Sequence, residues 1–140
     1  MRRNPLVIAL AGVALIATGP ALAGPREDRA AAGEAKLAKA LEGRQAGDPV
    51  DCIPLNQVQS TTIIDGTAII YRIGGRLYVN RPTNADTLRR DDVLVTNLTT
   101  SQLCSIDIVR TFDQGTHFPR GFVSLGKFVP YSRVTTATRD

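Results

Sequence analysis

Few side chains in this chain of 140 residues have the types and spacing that chemistry needs. The single histidine, His117, sits between Gly115 and Pro119. A loop histidine of that kind can serve as a general acid or base, with Asp113 or a nearby serine as its partner in a hydrolase. No Gly-x-Ser-x-Gly elbow and no glycine-rich phosphate loop accompanies it. Without a partner it reads as an exposed loop residue. Asp86, Asp91 and Asp92 crowd one stretch and offer the oxygen donors that calcium takes. Their spacing fits no EF-hand, and Arg89 and Arg90 stand among them, as in a self-neutralising loop. Two cysteines, Cys52 and Cys104, occur without a Cys-x-x-Cys pair, so with one histidine a zinc site lacks ligands. No catalytic residue, metal or cofactor is therefore assigned, and the ligand-binding residues stay unknown.

Two weaker constellations remain. Arg72, Arg76, Arg81, Arg110 and Arg120 recur through the second half and would hold phosphate, polysaccharide or carboxylates if gathered on one surface. Scattered, they are ordinary solubilising charge. Tyr71 and Tyr78 would suit sugar stacking if exposed, although facing aromatics across a hairpin commonly stabilise a sheet.

Charge and compartment narrow the choice. Arg2 and Arg3, an apolar run from Leu6 to Ala17, a Gly19-Pro20 break and Ala21-Leu22-Ala23 read as a secretory signal with its cleavage site. The run is too short to span a bilayer, which takes roughly 20 residues. The mature chain is expected to begin near Gly24, in the periplasm or outside the cell, with no membrane span. Its net charge falls from +4 to +2, because Arg2 and Arg3 go and no acidic residue goes with them. That weak excess, with acids and bases interspersed as in Arg89-Arg90-Asp91-Asp92, argues against nucleic acid as a partner. In an oxidising compartment an even pair of cysteines reads as a disulfide. A Cys52–Cys104 bridge would close a loop of about 50 residues.

These residues need elements to hold them. The stretch Glu27–Glu42 has helix formers throughout except Gly33, with Leu37 and Leu41 one turn apart and Gly43 as a C-cap. From Asp51 onward the pattern is β. Val58–Ile64, Thr67–Ile73 and Arg76–Asn80, separated by Asp65-Gly66 and Gly74-Gly75, predict a three-stranded meander. Two-residue loops would pair Ile64 with Thr67 and Ile73 with Arg76. Ile63, Ala68, Ile70, Leu77 and Val79 would then share one face, and Ile64, Ile69, Tyr71, Ile73 and Tyr78 the other. Both faces are apolar, so both need cover, and the Leu37/Leu41 helix is the nearest candidate. A helical turn near Ala85–Arg89 is expected, then strands at Val93–Asn97, Ser105–Phe112 and Phe122–Val129. In the second, Ile106 and Ile108 alternate against Asp107 and Val109, and the third is bent at Gly126.

The resulting expectation is a mainly β chain. It is a small antiparallel meander forming a barrel or sandwich of five to six strands, with an N-terminal helix after the signal peptide. The divisions are signal peptide 1–23, Ala-rich helix and linker 24–47, disulfide-closed β domain 48–131 and flexible tail 132–140.

Gly43-Arg44 through Cys52-Ile53, the run Ile64 to Arg72, Ser101 to Asp107 and Phe118 to Tyr131 resemble a family of small exported bacterial proteins of unknown function. The resemblance covers most of the mature chain. It implies export and the Cys52–Cys104 bridge, and it supplies no activity. Relatives often carry a second cysteine pair, near Asp86 and near Ser124, that this chain lacks. The function expected is a non-catalytic envelope module that binds another protein or a cell-wall polymer. The alternatives are a hydrolase-like enzyme using His117 and a small-ligand carrier.

Overall fold

The computed structural model describes residues 24–135; the signal peptide expected over 1–23 and residues 136–140 of the expected tail lie outside it. The helix α1 runs over Pro25–Ala40. Proline at its first position costs no hydrogen bond, and the Glu27 carboxylate accepts from the Gly24 amide at 2.9 Å. Gly43, at φ +69°, ends the turn that follows. The strands are β1 (Arg44–Ala46), β2 (Cys52–Pro54), β3 (Ser60–Ile64), β4 (Ala68–Ile73), β5 (Arg76–Asn80), β6 (Asp92–Val95), β7 (Gln102–Cys104), β8 (Ile108–Asp113), β9 (Pro119–Ser124) and β10 (Phe128–Arg133). A short 3-10 turn at Ala85–Thr87 occupies the connection before β6.

All strand pairs are antiparallel, in a five-stranded sheet of order β1-β10-β5-β4-β3, a three-stranded sheet β6-β8-β9 and a two-stranded sheet β2-β7. The sheets do not close into a barrel, and the expectation of a mainly β sandwich holds in its sandwich form. Ten strands replace the expected five or six because β1, β2 and β7 are only three residues long and the expected sixth strand is two.

One core lies between the sheets. Ile69 and Tyr71 from β4 meet Val109, Val123, Leu103, Ile53 and Phe128 there, and the Tyr71 and Phe128 rings contact edge-on with centroids 5.8 Å apart. On the other face of the five-stranded sheet, Leu37 of α1 packs on Ile64, Ala68, Ile70, Leu77 and Val79, with Leu41 at its margin. The helix is the second cover that the two apolar faces require.

Four expectations are corrected. The pairing Ile64↔Ala68 exchanges Ile63 and Ile64 between faces. Asp65-Gly66-Thr67 is a three-residue loop, with Gly66 at φ +62° and the Thr67 amide donating to the Ile64 carbonyl. A glycine in the left-handed region is what such a loop uses. The second loop pairs Ile73 with Arg76 as expected. The stretch assigned as linker holds β1, which needs no strand-forming side chains because it lies along β10, with Arg44 opposite Arg133. The strand at the C-terminus runs past 131 to Arg133, so part of the expected flexible tail is in the sheet. Finally, Gly126 breaks rather than bends the chain. Asn80, fully buried, donates to the Gly126 carbonyl at 2.6 Å and accepts from its amide at 3.0 Å. A Cβ there would lie 2.8 Å from the Arg81 carbonyl. This clamp sends β9 and β10 to different sheets.

Gly33 explains the one poor helix former in α1. A Cβ at this position would lie 1.8 Å from the Thr67 hydroxyl and 2.8 Å from the Asp65 carbonyl, where the helix crosses the β3–β4 loop. Arg29 ties the same crossing to Asp65, at 3.6 Å, and to the Asp86 carbonyl. In an ordinary helix, glycine to alanine stabilises by about 1 kcal/mol. Gly33→Ala is expected to lower the melting temperature instead, because the backbone oxygen of the loop cannot swing away. Thermal melts of the two chains by circular dichroism check the sign, and a rise would show that the helix stands off the loop.

Candidate functional site

An antiparallel sheet with one covered face ordinarily alternates apolar-in with polar-out. The β6-β8-β9 sheet does not. Strand β8 reads Ile-Val-Arg-Thr-Phe-Asp, and it is Val109 and Thr111 that point to the core. Ile108, Arg110 and Phe112, the larger side chains, point away. The pairings Val93↔Phe112, Val95↔Arg110, Arg110↔Phe122 and Phe112↔Pro119 place Val93 and Val95 of β6 and Phe122 of β9 on that same outward face. Ile108 is 58% exposed and Phe122 57%, whereas their inward neighbours Val109 and Val123 are 0%. Phe118 and Ile106, in the flanking turns, are exposed as well. The strand expected over Ser105–Phe112 begins only at Ile108, so Ile106 lies in the turn before β8; of the expected alternation, Val109 is the inward side, opposite Val123 in the core, and Ile108 the outward one.

A shallow concavity of about 400 Å³ lies on this face, lined by Ile108, Arg110, Phe112, Pro119, Gly121 and Phe122. Arg110 stands in the middle of the row. Among the described residues it has no carboxylate within ion-pair distance. Contiguous exposed apolar surface of this kind marks interaction sites on soluble proteins.

The loops at one end of this sheet are held by charge. Arg120 bonds Asp91 at 2.9 Å and Asp92 at 3.2 Å, and it also pairs with Asp113. Asp92 accepts the Arg89 amide at 2.8 Å. The Asp113 carboxyl is held far below the usual carboxylate range, first by the Thr116 amide and then by Arg120. Arg120 likewise lowers Asp91, and Asp113 foremost holds the Arg120 guanidinium in its charged form. So Asp91 and Asp92 meet an internal cation rather than forming a calcium site, and Asp86 contributes only its carbonyl, to Arg29 and Arg89. No cluster of ligating side chains suited to a metal occurs among the described residues.

Carboxylates whose folded pKa is depressed add stability that is present above their unfolded value, near pH 4, and lost as the pH falls below it. Without Arg120 the three carboxylates would instead repel at neutral pH. The melting-temperature deficit of Arg120→Ala relative to the parent is therefore expected to be largest near pH 7 and to shrink below pH 4. Melts across that range check it, and a deficit independent of pH would contradict the clamp.

Other singled-out residues are not gathered. The His117 contact with Asp113 is main-chain, its amide donating to the Asp113 carbonyl at 2.9 Å. The Asp113 carboxylate takes the Gly115 and Thr116 amides and Arg120. No acid–base dyad forms between them. The arginines part company: Arg81 pairs with Glu34 of α1 at 2.5 and 3.0 Å and Arg120 with its aspartates. Arg110 is on the outer face, while Arg72 and Arg76 lie on opposite faces of the five-stranded sheet. Tyr71 and Tyr78 do pair, yet Tyr71 is buried, which rules out sugar stacking on its ring. The Cys52–Cys104 disulfide joins directly opposed residues of β2 and β7.

Reasoning from the sequence picked out Arg110 but missed its apolar surroundings. The available signal was the Ile-x-Arg-x-Phe alternation in β8, with the larger residues all on one side. No helix among the described residues is long and apolar enough to cross a membrane. Searches against protein-family models, curated proteins and solved structures find no match to the chain.

Proposed function

We propose that this chain is an exported, non-catalytic binding module of the bacterial envelope that docks on another protein through the outer face of β6-β8-β9. The disulfide is compatible with export, and the resemblance to small exported proteins points the same way. The single observation that carries the docking reading is the outward row of Val93, Val95, Ile108, Phe112 and Phe122 around Arg110.

Arg110 also selects the occupant. Covering this face desolvates the guanidinium, and a buried charge is tolerated only when paired. A second copy docked face to face would bring its own Arg110 and no carboxylate. A protein surface that is apolar around an Asp or Glu satisfies both features. An apolar face suits protein better than a hydrated cell-wall polymer. The hydrolase reading has no support from the His117–Asp113 geometry.

The test is a photo-crosslinker at Val95, with a control at Arg76 on the other sheet, activated in cells that export the protein. The expected result is one heteromeric adduct from position 95 only. It should be lost on Arg110→Glu and restored when the acidic residue of the identified partner is reversed to arginine. An adduct with a second copy of the chain, or equal yields from positions 95 and 76, would overturn the proposal.

A further inference from the structure

The sandwich is open on one side, and the opening has the makings of a small-molecule site independent of the docking face. There the inner faces of two edge strands, β3 and β6, bound a cleft of about 340 Å³. Thr61 and Ile63 line it from β3, Asp92 and Leu94 from β6, and Leu103 and Tyr71 from the core. Clefts of this size with apolar walls and a few convergent polar groups are the usual form of small-ligand sites.

Two polar groups in it lack protein partners. Tyr71 is 3% exposed, and its hydroxyl has no hydrogen-bond partner among the described residues; burial alone raises its pKa. No side-chain polar atom among the described residues is both fully buried and without a partner, so this hydroxyl opens on the cleft rather than being sealed in the core. Arg90, at the rim, has no carboxylate within ion-pair distance among the described residues. The one carboxylate in the cleft, Asp92, is already held by Arg120 and the Arg89 amide. The unanswered charge of the cleft is thus positive and lies at its mouth, while Leu55, Ile63, Leu94 and Leu103 give its walls an aliphatic side beside Thr61 and Thr96.

We infer that this cleft binds a small amphipathic carboxylate of the fatty-acid class. Its chain lies against Ile63, Leu94 and Leu103, its carboxylate meets Arg90, and the Tyr71 hydroxyl donates to a ligand oxygen. Arginine suits this role because its planar fork matches a carboxylate.

Calorimetric titration of the purified chain with decanoate tests it. Saturable one-to-one binding is expected, at least tenfold weaker in Arg90→Ala and a few-fold weaker in Tyr71→Phe. Decanol should bind the parent no better than decanoate binds Arg90→Ala, and acetate should not bind measurably. Phe122→Asp should leave the affinity unchanged, which separates this site from the docking face. Absence of saturable binding, equal affinity in Arg90→Ala, or loss in Phe122→Asp would each overturn the assignment.

Discussion

Removing the Cys52–Cys104 bridge is expected to lower the melting temperature by about 10–20 °C. The bridge joins residues 52 apart in sequence, and loop-closure entropy for such a span gives roughly 4 kcal/mol. In a domain of this size 1 kcal/mol moves the midpoint by roughly 4–8 °C. The expectation is set below the full product because strain and residual unfolded structure reduce such gains. The local structure gives a second reason for a large effect. Strands β2 and β7 form a sheet of two strands and three residues each, too short to be stable alone. Beside the bridge, Ile53 faces Leu103, and both side chains fill the core at 1% and 0% exposure. Releasing the tie frees both ends of that plug at once. Melts with and without reductant, and of a Cys52→Ala, Cys104→Ala double variant, should agree. An unchanged midpoint would show a structurally idle bridge.

Phe122 and Val123 are adjacent and should respond in opposite ways to the same substitution. Val123→Asp places a charge among Val109, Leu103 and Phe128, where no cation is on hand. The cost exceeds about 3 kcal/mol, enough to unfold much of a marginal domain. Phe122→Asp changes a residue that is 57% exposed, so it should cost far less, about 1–2 kcal/mol from lost strand propensity and partial burial, and leave the chain folded. Binding should behave the other way. A central aromatic anchor contributes about 2–4 kcal/mol, so partner affinity should fall roughly 30- to 1000-fold in Phe122→Asp. Arg110→Glu should do likewise, through repulsion from the partner carboxylate. Melts and affinity measurements on the same preparations check both halves. An equal loss of stability in the two aspartate variants would place Phe122 in the core.

Local chemistry made part of this fold legible. Gly74-Gly75 gave the second hairpin its register, and cysteine parity gave the bridge. Asp65-Gly66 marked the first turn but hid its length, because Thr67 reads as a strand residue and serves instead as the last loop position. Strand β1 was not legible: Arg44-Gln45-Ala46 has no β-branched residue and is extended only because β10 lies beside it. The pairing of β10 with β5 and β1 joins segments far apart in sequence, which no local pattern specifies. The outer face was hidden for a different reason. Val93, Val95, Ile108 and Phe122 are of the residue types that fill cores, so nothing in their identity marks them as exposed. Only the register of β8 against β6 and β9 shows that Val109 and Val123 already occupy the inside.

On the proposed reading, this outward row is a working surface rather than misplaced core. The yield of the Val95 photo-adduct from a chain carrying Phe122→Asp that remains folded tests it. The claim predicts that the heteromeric adduct disappears. An adduct of undiminished yield from a stably folded variant would contradict it.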